Sequence, residues 1–142
     1  MKYFAVIDTN VVVSSLIKKD SFPGKIIKYI SDSIIVPLVN SEILSEYEKV
    51  LHRESFNFLG CDIEETIKLL KEESLKIEGI DVIEEFTDKT DIVFFQVTMD
   101  ARTQDMDAYL VTGNGRHFPN RPFVITPKEM VEIIESDQKQ TH

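Results

Sequence analysis

The fold is decided by the stretch Tyr3-Phe4-Ala5-Val6-Ile7-Asp8-Thr9-Asn10-Val11-Val12-Val13, near the start of the chain. Its first five residues are apolar and rich in β-branched and aromatic side chains, which predicts a strand buried on both faces. The run stops at three small polar residues, and apolar residues with helical spacing follow. A carboxylate at the carboxyl end of a central parallel strand lies where α/β sheets place their ligands. Function therefore depends on which other acids the fold brings to Asp8.

Size and composition indicate one globular domain. The chain has 142 residues, of which 42% are hydrophobic, and its formal net charge is −9. No apolar run is long enough to cross a bilayer, and Asp8 interrupts the first one too early for a signal peptide. Cys61 is the one cysteine, so no internal disulfide can form and we expect a cytoplasmic protein. The negative charge argues against electrostatic coating of nucleic acid but not against a nucleic-acid enzyme, because clustered acids that bind cations change the local sign.

Strand-like and helix-like segments alternate along the chain. Further strands are predicted at Ser33–Pro37, Ile80–Ile83, Asp107–Asn114 and Phe123–Thr126. Helices are predicted from Asn10 to Lys19, from Pro23, and over Glu42–Arg53, Ile63–Lys76, Ile92–Ala101 and Pro127–Ile134, with a loop over Phe56–Cys61 and Gly79 as a helix end. This order predicts a three-layer α/β/α sandwich around a five-stranded parallel sheet. Residues 1–135 would form a single domain, and residues 136–142 a frayed polar tail.

Two further acids fall where such a fold could bring them to Asp8. On the helix after the second strand, the apolar residues share an arc of roughly 120°, and Glu46 lies about 40° outside its edge, whereas Glu42 lies further toward solvent. Asp88 is placed to cap a buried helix, with Asp91 on its first turn. Carboxylates that share a cleft repel each other, and a bound divalent cation such as Mg²⁺, which prefers oxygen ligands, usually neutralises this repulsion. A cation of this kind can activate water against a phosphodiester.

Each of these residues also has a structural interpretation. Asp8 could cap the following helix, Glu46 could be one of several solvated acids, and Asp91 could favour the helix dipole. Asn114 after Gly113 could be a turn residue, and His117 a surface or packing histidine. Singly, none of the signals is specific, and their combination is moderately so.

Four motifs, in order, resemble those of PIN-domain nucleases. They are Val6–Val11, Ser41–Tyr47, Asp88–Asp91 and Leu110–Asn114. The likeness covers residues 2–135 and is closest to the branch described as toxin components of bacterial toxin–antitoxin systems. It implies a Mg²⁺- or Mn²⁺-dependent endoribonuclease whose metal ligands are Asp8, Glu46 and Asp91. The fourth acidic position of the family is Asn114 here, and an amide carries no charge, which weakens the case for a second ion. Asn10 and Thr112 would be supporting hydrogen-bond partners.

The expected reaction is hydrolysis of an RNA phosphodiester by metal-activated water. The cations that follow these motifs or the first helix are candidates for RNA contacts: Lys18, Lys19, Arg116 and Arg121. The resemblance further implies a small antitoxin that covers the acidic cleft, and dimers are common in relatives.

One alternative is a PIN-like binding module that has lost hydrolysis, which Asn114 favours. Another is a phosphoacceptor receiver domain, which the sequence disfavours because paired acids do not follow the first strand.

Overall fold

The structure, a computed structural model, describes residues 2–53 and 60–140. The strands are β1 (Tyr3–Ile7), β2 (Ile35–Val39), β3 (Leu75–Lys76), β4 (Ala108–Val111) and β5 (Val124–Ile125). The helices are α1 (Thr9–Ile17), α2 (Phe22–Ser31), α3 (Ser41–Leu51), α4 (Gly60–Glu72), α5 (Ile92–Thr103) and α6 (Pro127–Gln140). No helix in these two ranges is long and apolar enough to span a membrane.

The five strands form one parallel sheet in the order β3-β2-β1-β4-β5. β1 lies in the centre, and its residues Ala5, Val6 and Ile7 are fully buried, as expected for a strand covered on both faces. It pairs with β4 as far as Ile7 and Val111, so the two strands end side by side. The predicted α/β sandwich with a five-stranded parallel sheet is confirmed, and the residues after β1 and β4 meet at one edge.

Helix α5 supplies much of the core, as its nearly continuous apolar sequence predicts. Phe94 and Phe95 are buried. The ring of Phe94 lies 6.4 Å from that of Tyr47 on α3, and Phe95 contacts the rings of Phe86 and Phe123. This packing fixes α3 and the start of α5 relative to each other, and both elements carry acids of interest.

The third strand is not where the sequence predicted it. The predicted helix Ile63–Lys76 ends at Glu72, and its last two residues form β3, which pairs with Leu38 and Val39. The segment Ile80–Ile83 has no regular secondary structure, and Ile83 is 97% exposed. Tertiary pairing decided this point, because β2 needs a partner on its outer side and the chain reaches it directly after α4.

Gly79 does not end a helix. It follows β3 with a φ of +102°, a conformation that glycine adopts without strain. Its N–H donates to a carboxylate oxygen of Asp100 at 2.9 Å, so the residue turns the chain toward α5. The interpretation as a helix C-cap is therefore wrong.

The start of α4 and the end of α6 also differ from prediction. Residues 56–59 of the predicted loop lie outside the described ranges, and α4 already begins at Gly60. Helix α6 continues to Gln140, where a frayed tail was predicted from Ser136. The hydroxyl of Tyr3 donates to Asp137 at 2.6 Å, and this contact holds the polar end of α6 against β1. Residues 141–142 lie outside the described ranges.

Candidate active site

Asp8 is the most buried acid at the carboxyl edge of the sheet. Asp8 is only 6% exposed, and its backbone N–H donates to the carbonyl of Val111 at 3.0 Å. Carboxylate oxygen Oδ2 accepts a hydrogen bond from Thr112 Oγ1 at 2.7 Å and another from Asn10 Nδ2 at 3.1 Å. Asp8 occupies the N-cap position of α1, but its side chain makes no capping hydrogen bond. The carboxylate is therefore not used to begin the helix.

The turns after β1 and β4 form one hydrogen-bonded unit. Asn10 Oδ1 accepts from the backbone N–H of Gly113 at 3.3 Å, and the N–H of Asn114 donates to Thr112 Oγ1 at 3.0 Å. Thr112 is fully buried and so joins Asp8 to the second turn. The hydroxyl of Thr9 is buried without a hydrogen-bond partner in the described part of the chain. The supporting positions predicted for Asn10 and Thr112 thus lie against the Asp8 carboxylate.

Glu46 and Asp91 come from two other elements. Glu46 is half-buried on α3 and Glu42 is exposed, as the helical arc predicts. Asp91 ends a 3₁₀ turn, Lys89–Asp91, directly before α5, and its side chain is 16% exposed. Asp88 caps that turn by accepting hydrogen bonds from the N–H and the hydroxyl of Thr90. Because Asp88 performs the capping, the carboxylate of Asp91 is left for other contacts.

Electrostatic interactions show that these acids share one region. The pKa of Asp91 is raised to about 6, first by burial and then by the negative charges of Asp8 and Asp88, with a smaller contribution from Glu46. Nearby His117 opposes this shift. The structure therefore brings Asp8 and Glu46 near enough to Asp91 to raise its pKa, although the three acids are far apart in the sequence.

The pKa of Asp8 is also raised. Burial is the main cause, and it is opposed by the hydrogen bond from Thr112 and by the charge of His117. The backbone N–H groups of Thr9 and Asn10 also favour the charged form, although neither makes a capping hydrogen bond. Burial thus disfavours the charged form of Asp8, and the hydrogen-bond donors around the carboxylate offset part of that effect.

The donor set fits a hydrated oxygen-loving cation better than a tightly caged one. Among residues 2–53 and 60–140, no three Asp, Glu, His or Cys side chains are already grouped closely enough to hold a metal ion. Mg²⁺ does not require such a cage, because it keeps several waters and is commonly held by one or two carboxylates. The pKa of Asp91 is raised first by burial and then by the negative charges of Asp8 and Asp88, so other acids lie close to this carboxylate. The residues present are therefore compatible with Mg²⁺ or Mn²⁺.

A cleft of about 540 Å³ adjoins Asp91. Its lining includes the acids Glu84, Glu85 and Asp88 together with Arg116 and His117. His117 Nδ1 lies 3.9 Å from Asp91 Oδ2. The sequence interpretation of His117 as a surface or packing residue missed this contact. Its position three residues after Asn114, at the edge of the sheet, was the available signal.

The four predicted RNA contacts are separated by the fold. Arg116 is exposed, lines the cleft, and makes no ion pair with the described residues. Arg121 donates to Glu84 at 2.9 Å, and Lys19 lies 4.0 Å from Asp62. Lys18 and Lys19 line hollows elsewhere that share no residue with this cleft. Of the four cations, the structure brings Arg116 beside Asp91 and leaves both lysines away from it.

Comparison with known protein families gives a match. A family model described as PIN domain matches residues 5–116, a region that includes Asp8, Glu46, Asp91 and Asn114. Neither the curated proteins nor the solved structures give a match. Because the family model covers most of the chain and the sheet is of the expected kind, the chain belongs to the PIN domain family, whose members are generally nucleases.

Proposed function

We propose that this protein is a Mg²⁺- or Mn²⁺-dependent endoribonuclease that hydrolyses RNA phosphodiester bonds. The observation that supports this most directly is that the buried acid Asp8 and the half-buried Asp91 lie at one edge of the sheet beside a cleft. Burial, then the charges of Asp8 and Asp88, and last that of Glu46, raise the pKa of Asp91 to about 6. Perturbed carboxyl groups beside a cleft are typical of functional sites. Membership of a family of nucleases gives such a site a reaction class.

Asp8, Glu46 and Asp91 would hold the cation, with Asn114 contributing at the rim. When bound, a divalent cation supplies a strongly acidified water as nucleophile and charge stabilisation for the phosphodiester. Thr112 and Asn10 both bond to Oδ2 of Asp8, which orients the carboxylate. Its other oxygen is not engaged by any side chain in the described ranges and can face the cation.

Arg116 and His117 would meet the substrate. Arg116 is exposed and unpaired in the described ranges, so its guanidinium can bind a backbone phosphate in a bidentate manner. His117 places a second nitrogen donor beside Asp91. In a chain of net charge −9, the Arg116 guanidinium with the His117 imidazole near it offers the cleft a contact for a polyanion. The choice of RNA over DNA rests on the family resemblance.

The test is cleavage of a labelled single-stranded RNA with Mn²⁺ or Mg²⁺ and with excess EDTA. Asp8→Asn and Glu46→Gln should each lower the cleavage rate by more than the roughly 10- to 100-fold that loss of a group outside the coordination sphere typically costs, and EDTA should abolish cleavage. Glu42→Gln is the matched control, because it neutralises an exposed acid one turn from Glu46 and should leave the rate unchanged. Full activity of Asp8→Asn would remove Asp8 from the mechanism and contradict the proposal.

The alternative is a PIN-like module that binds RNA or protein without hydrolysis. Two observations favour it: Asn114 stands at the fourth acidic position, and no three described metal-binding side chains are preassembled. Thermal melting with millimolar Mn²⁺ distinguishes the two, because a ligand that binds the folded state raises the midpoint. A rise that Asp8→Asn eliminates supports the nuclease, whereas no rise together with no cleavage supports the module.

We further propose that the protein is the toxin of a toxin–antitoxin pair, on the strength of the resemblance. An antitoxin would then cover the acidic cleft, and a homodimer is the expected assembly. Induced expression in a bacterial host should arrest growth, and expression of Asp8→Asn should not. Arrest that is equally strong with both proteins would show that toxicity does not depend on this site.

A further inference from the structure

The hydroxyl of Tyr47 reaches the backbone next to Asp8. Tyr47 follows Glu46 on α3 and is 1% exposed. Its hydroxyl donates to the carbonyl oxygen of Ile7 at 2.5 Å, and Ile7 is the last residue of β1. One hydrogen bond therefore connects the helix that carries Glu46 to the end of the strand that directly precedes Asp8.

The Ile7 carbonyl is available because the two neighbouring ladders differ in length. On the β4 side, pairing extends to Ile7 and Val111. On the β2 side, it stops two residues earlier, at Ala5 and Pro37. A buried carbonyl beyond the end of its ladder is costly to leave unpaired, and the Tyr47 hydroxyl satisfies it.

This bond completes the fixation of the peptide group between Ile7 and Asp8. The N–H of that group belongs to Asp8 and donates to Val111 at 3.0 Å, while its carbonyl accepts from Tyr47. The backbone that carries Asp8 is thus tied to β4 on one side and to α3 on the other. The Tyr47 ring packs 6.4 Å from that of Phe94, which limits its freedom to move away.

We infer that Tyr47 is a positioning residue that fixes the separation of Glu46 and Asp8 and so sets the metal affinity of the site. The inference rests on the proposed function, since it assumes that both acids bind one cation. Groups that orient metal ligands from outside the coordination sphere commonly change affinity by 10- to 100-fold. The acceptor is a backbone carbonyl, which cannot donate, so the Tyr47 hydroxyl is the donor in this bond.

The test is Mn²⁺ affinity of the full chain, measured by isothermal titration calorimetry for wild type and Tyr47→Phe. We expect the Kd of the variant to rise roughly 10-fold or more. Thr98→Val is the matched control, because the Thr98 hydroxyl is also fully buried and donates to a backbone carbonyl, that of Phe94, at 2.8 Å. It should lower the melting temperature without changing the Kd.

Rescue and coupling separate positioning from a general packing effect. 4-Aminophenylalanine at position 47 keeps an N–H donor and should restore the affinity, whereas 4-fluorophenylalanine fills the same space, donates nothing, and should not. This pair also replaces Tyr47→Phe if that variant does not fold. In a Glu46→Gln background, Tyr47→Phe should change the Kd much less than in wild type, because its effect acts through Glu46.

The outcomes distinguish this inference from the proposed function. If Asp8→Asn weakens Mn²⁺ binding but Tyr47→Phe does not, Tyr47 is only structural and the inference is overturned while the metal centre stands. An equal effect of Tyr47→Phe with and without Glu46 would overturn it as well. If Asp8→Asn itself leaves Mn²⁺ binding unchanged, the proposed metal centre is wrong, and the inference falls with it.

Discussion

Replacing Thr112 by valine removes a single hydroxyl from the centre of the acidic site while keeping the shape of the side chain. Two hydrogen bonds are lost: the one donated to Asp8 at 2.7 Å and the one accepted from the N–H of Asn114 at 3.0 Å. The first has a charged acceptor and is worth about 1.5–3 kcal/mol, and the second, neutral one about 0.5–1.5 kcal/mol. The buried valine methyl returns about 0.8 kcal/mol. We expect a net loss of about 2 kcal/mol in the free energy of unfolding.

This loss should depend on pH in a defined direction. The pKa of Asp8 is raised by burial, and the Thr112 hydroxyl opposes that shift by favouring the charged form. Valine therefore raises the pKa further, so the native variant takes up its proton at a higher pH than native wild type. The destabilisation is complete when Asp8 is ionised in both proteins, and it shrinks as the pH falls through their pKa values.

Urea unfolding at pH 8 and pH 4 measures both effects, provided that the m-values agree. Thr98→Val again serves as the control, because it removes a buried hydroxyl whose bond is to the neutral carbonyl of Phe94. Its loss should be under about 1 kcal/mol and equal at the two pH values. An equal loss at positions 98 and 112, or a loss at position 112 that does not change with pH, would refute the idea that Thr112 stabilises the Asp8 charge.

Asp91→Asn should stabilise the metal-free protein at pH 7.5 but not at pH 4. The pKa of Asp91 in the folded protein is raised to about 6. The contribution of Asp91 to the free energy of unfolding is therefore fully present below its ordinary pKa near 4 and is lost as the pH rises through 6. Thermal melts of variant and wild type should diverge over that interval. The same variant should lose metal-dependent cleavage. Identical melting curves of variant and wild type at every pH would show that the charge of Asp91 does not destabilise the folded protein. Asn114→Asp restores a carboxylate at the fourth acidic position and should lower the Kd for Mn²⁺ several-fold by calorimetry, because ligand charge raises cation affinity. An unchanged or higher Kd would place residue 114 outside the metal site.

Features that depend on near neighbours in the chain were predictable from the local residue pattern. The apolar run that ends at Asp8 predicted a strand buried on both faces, and alternation of such runs with amphipathic segments predicted a parallel sheet; the structure confirms both. The spacing of apolar residues on α3 predicted that Glu46 lies half-buried at the edge of the apolar face, because residues three and four apart share one face of a helix. The cap at Asp88 was likewise readable, since its partner Thr90 is two residues away.

Features that depend on residues distant in the sequence could not be predicted from local pattern and are seen in the folded chain. Leu75 and Lys76 form a strand because β2 lies beside them, although their own sequence reads as the end of a helix. His117 contacts Asp91 and the Tyr47 hydroxyl meets Ile7 across 26 and 40 residues of sequence, respectively. The raised pKa of Asp91 likewise arises from burial and from acids brought in by β1 and α3. A residue's sequence neighbours set its local conformation, whereas charge, desolvation and long-range hydrogen bonds depend on which surfaces pack together.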